Sequence, residues 1–341
     1  MSMQNIDTST TVASSRIRLA RNLNGYPFPG RLKNDKQAKE IIRAVSSAIN
    51  KVDEFKLYYM DGITEEEALN LVENHLVSPL LLKRPHYSAA VINEQRNVCI
   101  MINEEDHLRE QCIEKGFSLR RAYNVMSQKD NIIARSIQFA YDEQLGFLTA
   151  CPTNLGTGLR ASVMLFLPAL TMSGFMPSVI RSANKLGLTV RGAYGEGSQA
   201  EGYMYQFSNE VTLGVTEEEI LTQVEQVVLR VSEMELSERA KLKTGERAVE
   251  VKDGCLRALG VLTNCALLTG EECERLCAQL KLGVAIGCCS SEGIGWIDDL
   301  IIKMKPSNIN LSAGRKLAAA ERDAYRADYV SRFVAARVKR Q

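Results

Sequence analysis

Apolar positions in this chain follow both helical and alternating spacing through its first two-thirds, and helical spacing alone after that. Residues 34–50 place Ile41, Ile42, Val45 and Ile49 on one face of a helix. Thr64 followed by Glu67 makes a capping box for a second helix reaching about residue 75. Residues 88–92, 93–96 and 97–102 read as a strand, a turn and a strand. Residues 120–142 predict a helix, and 146–150 a strand leading into a glycine-rich loop. The apolar run 161–170 predicts a helix at least as far as Pro168. Residues 186–191 predict a strand, and 203–208 with 211–214 predict a hairpin around Asn209 and Glu210. A long charged helix runs from Glu217 to about Lys243, with Gly245 as its stop signal. Beyond it, 249–263, 271–280, 294–304 and 318–338 all read as helices. Residues 1–13, rich in Ser and Thr, predict a loose arm. The shift in pattern predicts a mixed domain over 1–235 and a helical domain over 236–341.

Composition narrows the function classes. The 341 residues allow two domains, and 45% hydrophobic with 24% charged residues is ordinary for a globular chain. A net charge of +1 does not draw the whole molecule to nucleic acid or a membrane, so any basic site is a local cluster. No apolar stretch is long enough to span a membrane, and the polar start lacks a signal-peptide core, which makes the cytoplasm the expected location. The nine cysteines form no CxxC pair. Cys273 with Cys277, and Cys288 with Cys289, have no second set at zinc spacing, so buried reduced thiols are expected.

The chemistry concentrates in a few short segments. Cys-Pro-Thr-Asn-Leu-Gly-Thr-Gly-Leu-Arg at 151–160 combines a thiol, glycines that let backbone N–H groups approach an anion, and Arg160. A helix starting there would add a positive dipole end. It is not a P-loop, since no Gly-Lys-Ser/Thr follows. Arg16 and Arg18 alternate, so a strand points both to one face. Arg109 follows an acidic loop, Asn103-Glu104-Glu105-Asp106-His107, and Arg191 ends a strand. Each arginine alone reads as a surface cation; together the five would clamp a polyphosphate. Glu196 stands between Gly195 and Gly197. A carboxylate from each of two loops suits a planar guanidinium, and one of them would help remove its proton. Cys151 lies among these groups, where cations and N–H donors favour a thiolate.

Taken in this order, the segments at 14–18, 103–109 and 151–160, with Arg-Gly-x-x-Gly-Glu at 191–196, resemble the phosphagen kinases (ATP:guanidino phosphotransferases) over residues 14 to about 214. The resemblance implies an α+β fold, an antiparallel sheet flanked by helices, here followed by the all-helical C-terminal domain. It implies ATP with Mg²⁺ carried on the nucleotide and no direct metal ligation by the protein. Arg16, Arg18, Arg109, Arg160 and Arg191 would take the phosphates, Glu105 and Glu196 the guanidinium, and Cys151 would be the active-site thiol. Glu105 is the preferred general base. Within the family the chain looks like the bacterial protein-arginine kinases. Kinases of free guanidino compounds carry a helical domain before the first arginine pair, whereas Ser14 is close to the start here, and this favours an arginine borne by a polypeptide. Arg322-Asp323-Ala324-Tyr325-Arg326-Ala327 resembles that branch's phosphoarginine-recognition motif, with Arg322, Asp323 and Arg326 as the binding residues. The branch implies coupling of this second site to kinase activity, an activator of the McsA type, a Clp ATPase or protease that degrades marked proteins in stress and quality control, and a homodimer. Two alternatives stand beside this reading: a kinase of free arginine or another small guanidino compound, and a non-catalytic phosphoarginine-binding adaptor.

Overall fold

The computed structural model describes residues 6–32, 34–51, 54–192 and 201–341. Strand β1 (Val12–Arg21) is followed by α1 (Asp35–Ile49), β2 (Phe55–Tyr59), α2 (Glu65–Glu73), β3 (Ala89–Asn93), β4 (Val98–Ile102), β5 (Leu108–Lys115) and α3 (Leu119–Ala134). A small hairpin, β6 (Tyr141–Asp142) and β7 (Gly146–Phe147), leads through the glycine-rich loop to β8 (Leu159–Phe166). Next come α4 (Pro168–Met172), α5 (Met176–Lys185), β9 (Leu188–Gly192), β10 (Met204–Asn209) and α6 (Glu217–Thr244). The remainder is helical: α7 (Ala248–Asn264), α8 (Gly270–Ala285), α9 (Gly295–Lys303), α10 (Pro306–Ala313) and α11 (Ala319–Ala335), with a minimal pair β11 (Cys289–Ser290) and β12 (Lys339–Arg340).

Eight strands form one antiparallel sheet in the order β2-β3-β4-β5-β1-β8-β10-β9. Side chains alternate across it. Ile17, Leu19, Leu108, Cys112, Leu159, Ala161, Val163 and Leu165 point to one face and are buried under α1, α3, α5 and α6. The opposite face is apolar toward β3 and β4, where Ala90, Ile92, Cys99 and Met101 meet Leu71 of α2 and the segment after it, and at the end of β8, where Phe166 is buried. The helical part has its own core, including Leu262, Leu280, Ile297 and Val330. α6 runs unbroken through residue 235, and its end contributes Leu242 to a small core shared with Phe166, Val251 and Cys255.

Two expectations hold: α1 buries Ile41, Ile42, Val45 and Ile49 on one face, and Thr64 with Glu67 boxes α2. Others are corrected. The run 161–170 is not one helix: α4 begins only at Pro168, and residues 161–166 belong to β8, where Leu159, Ala161, Val163 and Leu165 alternate with Arg160 and Ser162. Met164 and Phe166 hide that alternation, and an apolar run of this length fits a central strand as well as a buried helix. The helix predicted over 120–142 stops at Ala134. Residues 211–214 do not return beside β10, which pairs instead with β8 and β9; Thr212 is drawn to the glycine-rich loop. The expected loose arm is held at its end: buried Thr11 bonds Ser232 at 3.1 Å, and its carbonyl accepts from Phe166 N. α10 is an additional helix that begins at Pro306.

Arg239 fastens this corner. It is 4% exposed and donates to Glu235 (2.7 Å), to the Thr10 hydroxyl and carbonyl, and to the Phe166 carbonyl. Glu235 also caps α4 through Ala169 N and Leu170 N. Removing one partner of such a pair strands a buried charge. Arg239→Met is expected to cost about 3–5 kcal/mol of unfolding free energy, read from urea denaturation.

Candidate active site

The register of β1 builds a cationic face. Arg18 lies directly opposite Arg160 of β8, Ala20 opposite Arg109 of β5, and Arg191 of β9 opposite Gln206 of β10. Cross-strand partners share a face, so Arg16, Arg18, Arg109, Arg160 and Arg191 all project from the side away from the main core. Burial, then the charges of Arg109 and Arg160, lowers the Arg16 pKa to about 10. Burial, then Arg16, Arg109 and Arg160, lowers that of Arg18 well below its ordinary value. Arg160 is lowered by burial and then by Arg191 and Arg109. The Nε groups of Arg18 and Arg160 are buried without a hydrogen-bond partner. Arg160 also donates to Ser208 Oγ at 3.0 Å. Opposed like charges and unmet N–H donors destabilise a sheet by themselves. They fit a polyanion such as a row of phosphates, whose oxygens satisfy guanidinium forks. Because residues 159–166 form a strand, no helix dipole contributes at Arg160.

The acidic loop between β4 and β5 is locked from β1's end. Asn22 accepts from His107 N (2.9 Å) and donates to Asp106 (2.6 Å) and the Leu148 carbonyl (2.9 Å). His107 Nδ1 accepts from Leu23 N, which leaves the proton on Nε2 to donate to the Pro27 carbonyl at 3.0 Å. Asp106 also accepts from Ala150 N at 2.6 Å, tying this loop to the residue before Cys151. Glu104 and Glu105 differ sharply. Glu104 is buried, hydrogen-bonded by Ser78 and paired with Arg109 at 2.6 Å. Burial acts to raise its pKa, but the charge and hydrogen bond of Arg109 outweigh this and hold it low. Glu105 is exposed, and its pKa is raised by burial of its carboxyl and by the charges of Asp106 and Glu104. A raised carboxylate is the better proton acceptor.

The glycine-rich loop closes the site. Cys151 is half-buried, with Sγ 3.0 Å from Thr153 Oγ1. Thr212 accepts from Thr157 N (3.0 Å) and donates to the carbonyls of Thr153 and Leu155. Gly156 has φ +108°, and a Cβ there would sit 2.2 Å from the Thr212 carbonyl oxygen, so no other residue fits. Asn209 bonds Leu159 O and Ala161 N, which sets the start of β8. The structure thus brings Arg16, Arg18, Arg109, Arg160, Arg191, Glu105 and Cys151 to one region. Glu196 lies outside the described residues.

The motif in α11 separates into two environments. Arg326 is 2% exposed and donates to Asp323 (2.7 Å), to the Leu268 carbonyl (2.7 Å) and to the Met304 carbonyl (3.1 Å). Arg322 reaches the Leu317 carbonyl instead. Beside Arg326 is a cavity of about 370 Å³ at the start of α8, lined by Gly270, Cys273, Glu274, Met304 and Lys305 among others. A Cβ on Gly270 would lie 3.8 Å from Arg326 Nη2. Lys305 pairs with Glu274. Sequence reasoning missed Lys305 and Glu274, as well as Asn22, Asp106 and Thr212; polar side chains within otherwise apolar strands and turns were the available signal. All nine cysteines are free; Cys273 and Cys277 approach to 4.0 Å.

Two family models match the chain: the ATP:guanido phosphotransferase C-terminal catalytic domain over residues 36–238, and the protein-arginine kinase McsB C-terminal domain over 248–340. Among characterised relatives, the protein-arginine kinase of Caldanaerobacter subterraneus is 41% identical over 94% of this chain and 96% of its own length. That of Halothermothrix orenii is 40% identical over 94% and 91%. The substrate-free duplicated taurocyamine kinase of Schistosoma mansoni superposes with a TM-score of 0.64 at 27% identity; 78% of this chain is covered, which spans 41% of that duplicated protein. Lombricine kinase superposes with a TM-score of 0.60 at 25% identity, covering 70% of this chain and 71% of its own.

The His107 contacts carry a pH signature. Burial lowers its pKa to about 4, with the Pro27 bond opposing. The unfolded chain, with an ordinary value near ~6.5, takes up a proton that the folded chain refuses between these limits. The contribution of His107 is therefore complete above about pH 6.5 and lost as pH falls toward 4. Urea midpoints measured across this range are expected to fall with pH, and His107→Gln is expected to flatten that dependence.

Proposed function

The chain belongs to the ATP:guanido phosphotransferase family, and on that premise we propose that it is a protein-arginine kinase, transferring the γ-phosphoryl group of ATP to arginine side chains of proteins. The observation that carries the reading is the five-arginine face beside an acidic loop in which Glu104 is buried against Arg109 while Glu105 stands exposed. In this reading Arg16, Arg18, Arg109, Arg160 and Arg191 hold the nucleotide phosphates and spread the charge that develops during transfer. Glu105, with Glu196 from the second loop, orients the substrate guanidinium. A guanidinium nitrogen attacks the γ-phosphorus, its proton passes to Glu105, the bond to the β–γ bridging oxygen breaks, and ADP leaves. Glu104 holds Arg109 in place. Cys151 sits beside the guanidinium site. Magnesium arrives with the nucleotide and neutralises phosphate charge when bound. The product carries an acid-labile P–N bond.

The same reading divides the chain into a catalytic part, 1–235, and a helical part, 236–341, that recognises phosphoarginine. Arg326 and Lys305 beside the cavity suit a phosphoryl group, Glu274 suits a guanidinium, and the N-terminal turn of α8 adds donors. The reading includes an activator of the McsA type, a Clp ATPase or protease that takes the marked proteins, a homodimer, and action in the cytoplasm. Among the described residues no helix is long and apolar enough to cross a membrane. A second reading, a kinase of a small guanidino compound, is favoured by the structural likeness to taurocyamine and lombricine kinases.

Incubation with ATP and either casein or free arginine, read by mass spectrometry without acid, separates the two; product on free arginine alone refutes the first reading. Glu105→Gln is expected to lower kcat about 100-fold or more while the KM for ATP stays within a few-fold. Phosphoarginine titrated calorimetrically into Arg326→Lys is expected to bind at least about tenfold more weakly than to the parent chain, with nucleotide binding unchanged. Equal affinity would remove the pocket from the proposal.

A further inference from the structure

Arg21 closes β1 on the face opposite to the arginine cluster. It shares the core side of the strand with Ile17 and Leu19 and is 1% exposed. A buried guanidinium is costly unless paired and fully bonded. Here Nε and Nη2 donate to Asp130 of α3, the shorter bond at 2.8 Å, and Nη1 donates to the carbonyls of Ala20 (3.0 Å) and Thr157 (2.9 Å). Its central carbon lies 3.6 Å from the centroid of the Phe147 ring. Phe147 N in turn donates to the Gly156 carbonyl at 2.8 Å. At Gly158, a Cβ would come within 2.6 Å of Arg21 Nη1. The neighbouring carboxyl, Glu110, is buried, and burial together with the charge of Asp130 pushes its pKa far above the usual range. The raised pKa favours the protonated form of Glu110, and Asp130 at 2.8 Å, with Glu217 at 4.0 Å, faces the charge of Arg21.

An apolar side chain would fill this volume without a desolvation penalty. What arginine adds is a fork with two ends, one on α3 and one on the backbone of the glycine-rich loop. Thr157 lies three residues before Arg160 and is bonded on its N–H side by Thr212. Holding the Thr157 carbonyl thus determines how the loop enters β8, and so where Arg160 stands opposite Arg18.

We propose that Arg21 is a positioning residue for the phosphate site, holding the 156–158 turn from behind the sheet through Thr157 and Phe147. The proposal rests on the kinase reading for its kinetic consequences only. Displacements of about 1 Å at a reacting centre can cost 10²-fold in rate.

The test uses Arg21→Lys, which keeps the charge but loses the fork, and Phe147→Leu, which removes the ring at a half-buried position. Steady-state kinetics with ATP, thermal melting, and iodoacetamide labelling of Cys151 followed by peptide mass spectrometry are measured together. Arg21→Lys is expected to lower kcat about tenfold or more, raise the KM for ATP several-fold and label Cys151 at least about threefold faster. Phe147→Leu is expected to move all three the same way by about two- to fivefold. Folded variants whose kinetics and labelling stay within about twofold of the parent overturn the proposal, even if their melting temperatures fall, since that pattern is purely structural. If Arg21→Lys does not fold, Phe147→Leu decides. If the parent chain phosphorylates nothing even with an activator of the McsA type, the kinase reading fails, while the Cys151 labelling still decides the role of Arg21.

Discussion

Repulsion among Arg16, Arg18, Arg109, Arg160 and Arg191 is the constraint that the surrounding structure has to withstand. Each lies close enough to another for its charge to be felt, and two buried Nε groups have no partner. Nothing local favours such a face. It persists because the other side of the same strands is continuous with the largest core, so that turning any arginine away would expose Ile17, Leu19 or Leu159. Hydrophobic burial on one face thus holds unfavourable charge on the other, and that stored repulsion becomes affinity for a polyanion.

The loops around this face are held by polar side chains rather than by packing. Asn22, Asp106 and His107 bind the acidic loop to the segment before Cys151. Thr212 and Arg21 grip the glycine-rich loop from its two sides. Hydrogen bonds fix position more tightly than an apolar contact does, because they lose strength steeply with distance and angle. A site that must place a phosphorus and a nitrogen in line needs this kind of support.

The helical part reaches the same loops through α2. Glu73 accepts from Ser307 N at 2.9 Å, and the amides of Asn70 and Asn74 meet Asn308. Directly after that end of α2, Gln111 of the cationic face donates to the carbonyls of His75 and Leu76, and Ser78 bonds Glu104. Met304, whose carbonyl receives Arg326, lies only three residues before Ser307. The end of α2 and the segment after it therefore link α10, which begins at the cavity's wall, to the Glu104–Arg109 pair. This is the physical connection that a coupling between the two proposed sites would use.

Local patterns in the chain were enough to find much of this. Apolar spacing located α1 and a capping box located α2, alternation put Arg16 and Arg18 on one face, and the glycines marked the loop at 151–160. Those signals depend on neighbours within a few residues. The strand nature of 161–166, the capture of Thr212 by the loop, the anchoring of Thr11 and the role of Arg21 depend on groups far apart in the chain, so no local period reports them. The contrast between Glu104 and Glu105 makes the same point: two identical side chains in adjacent positions have opposite pKa shifts because Arg109 and Ser78 hydrogen-bond only one of them. Residue type and order established which chemistry was possible, and long-range strand pairing decided which groups meet, since desolvation and charge act through space and not along the chain.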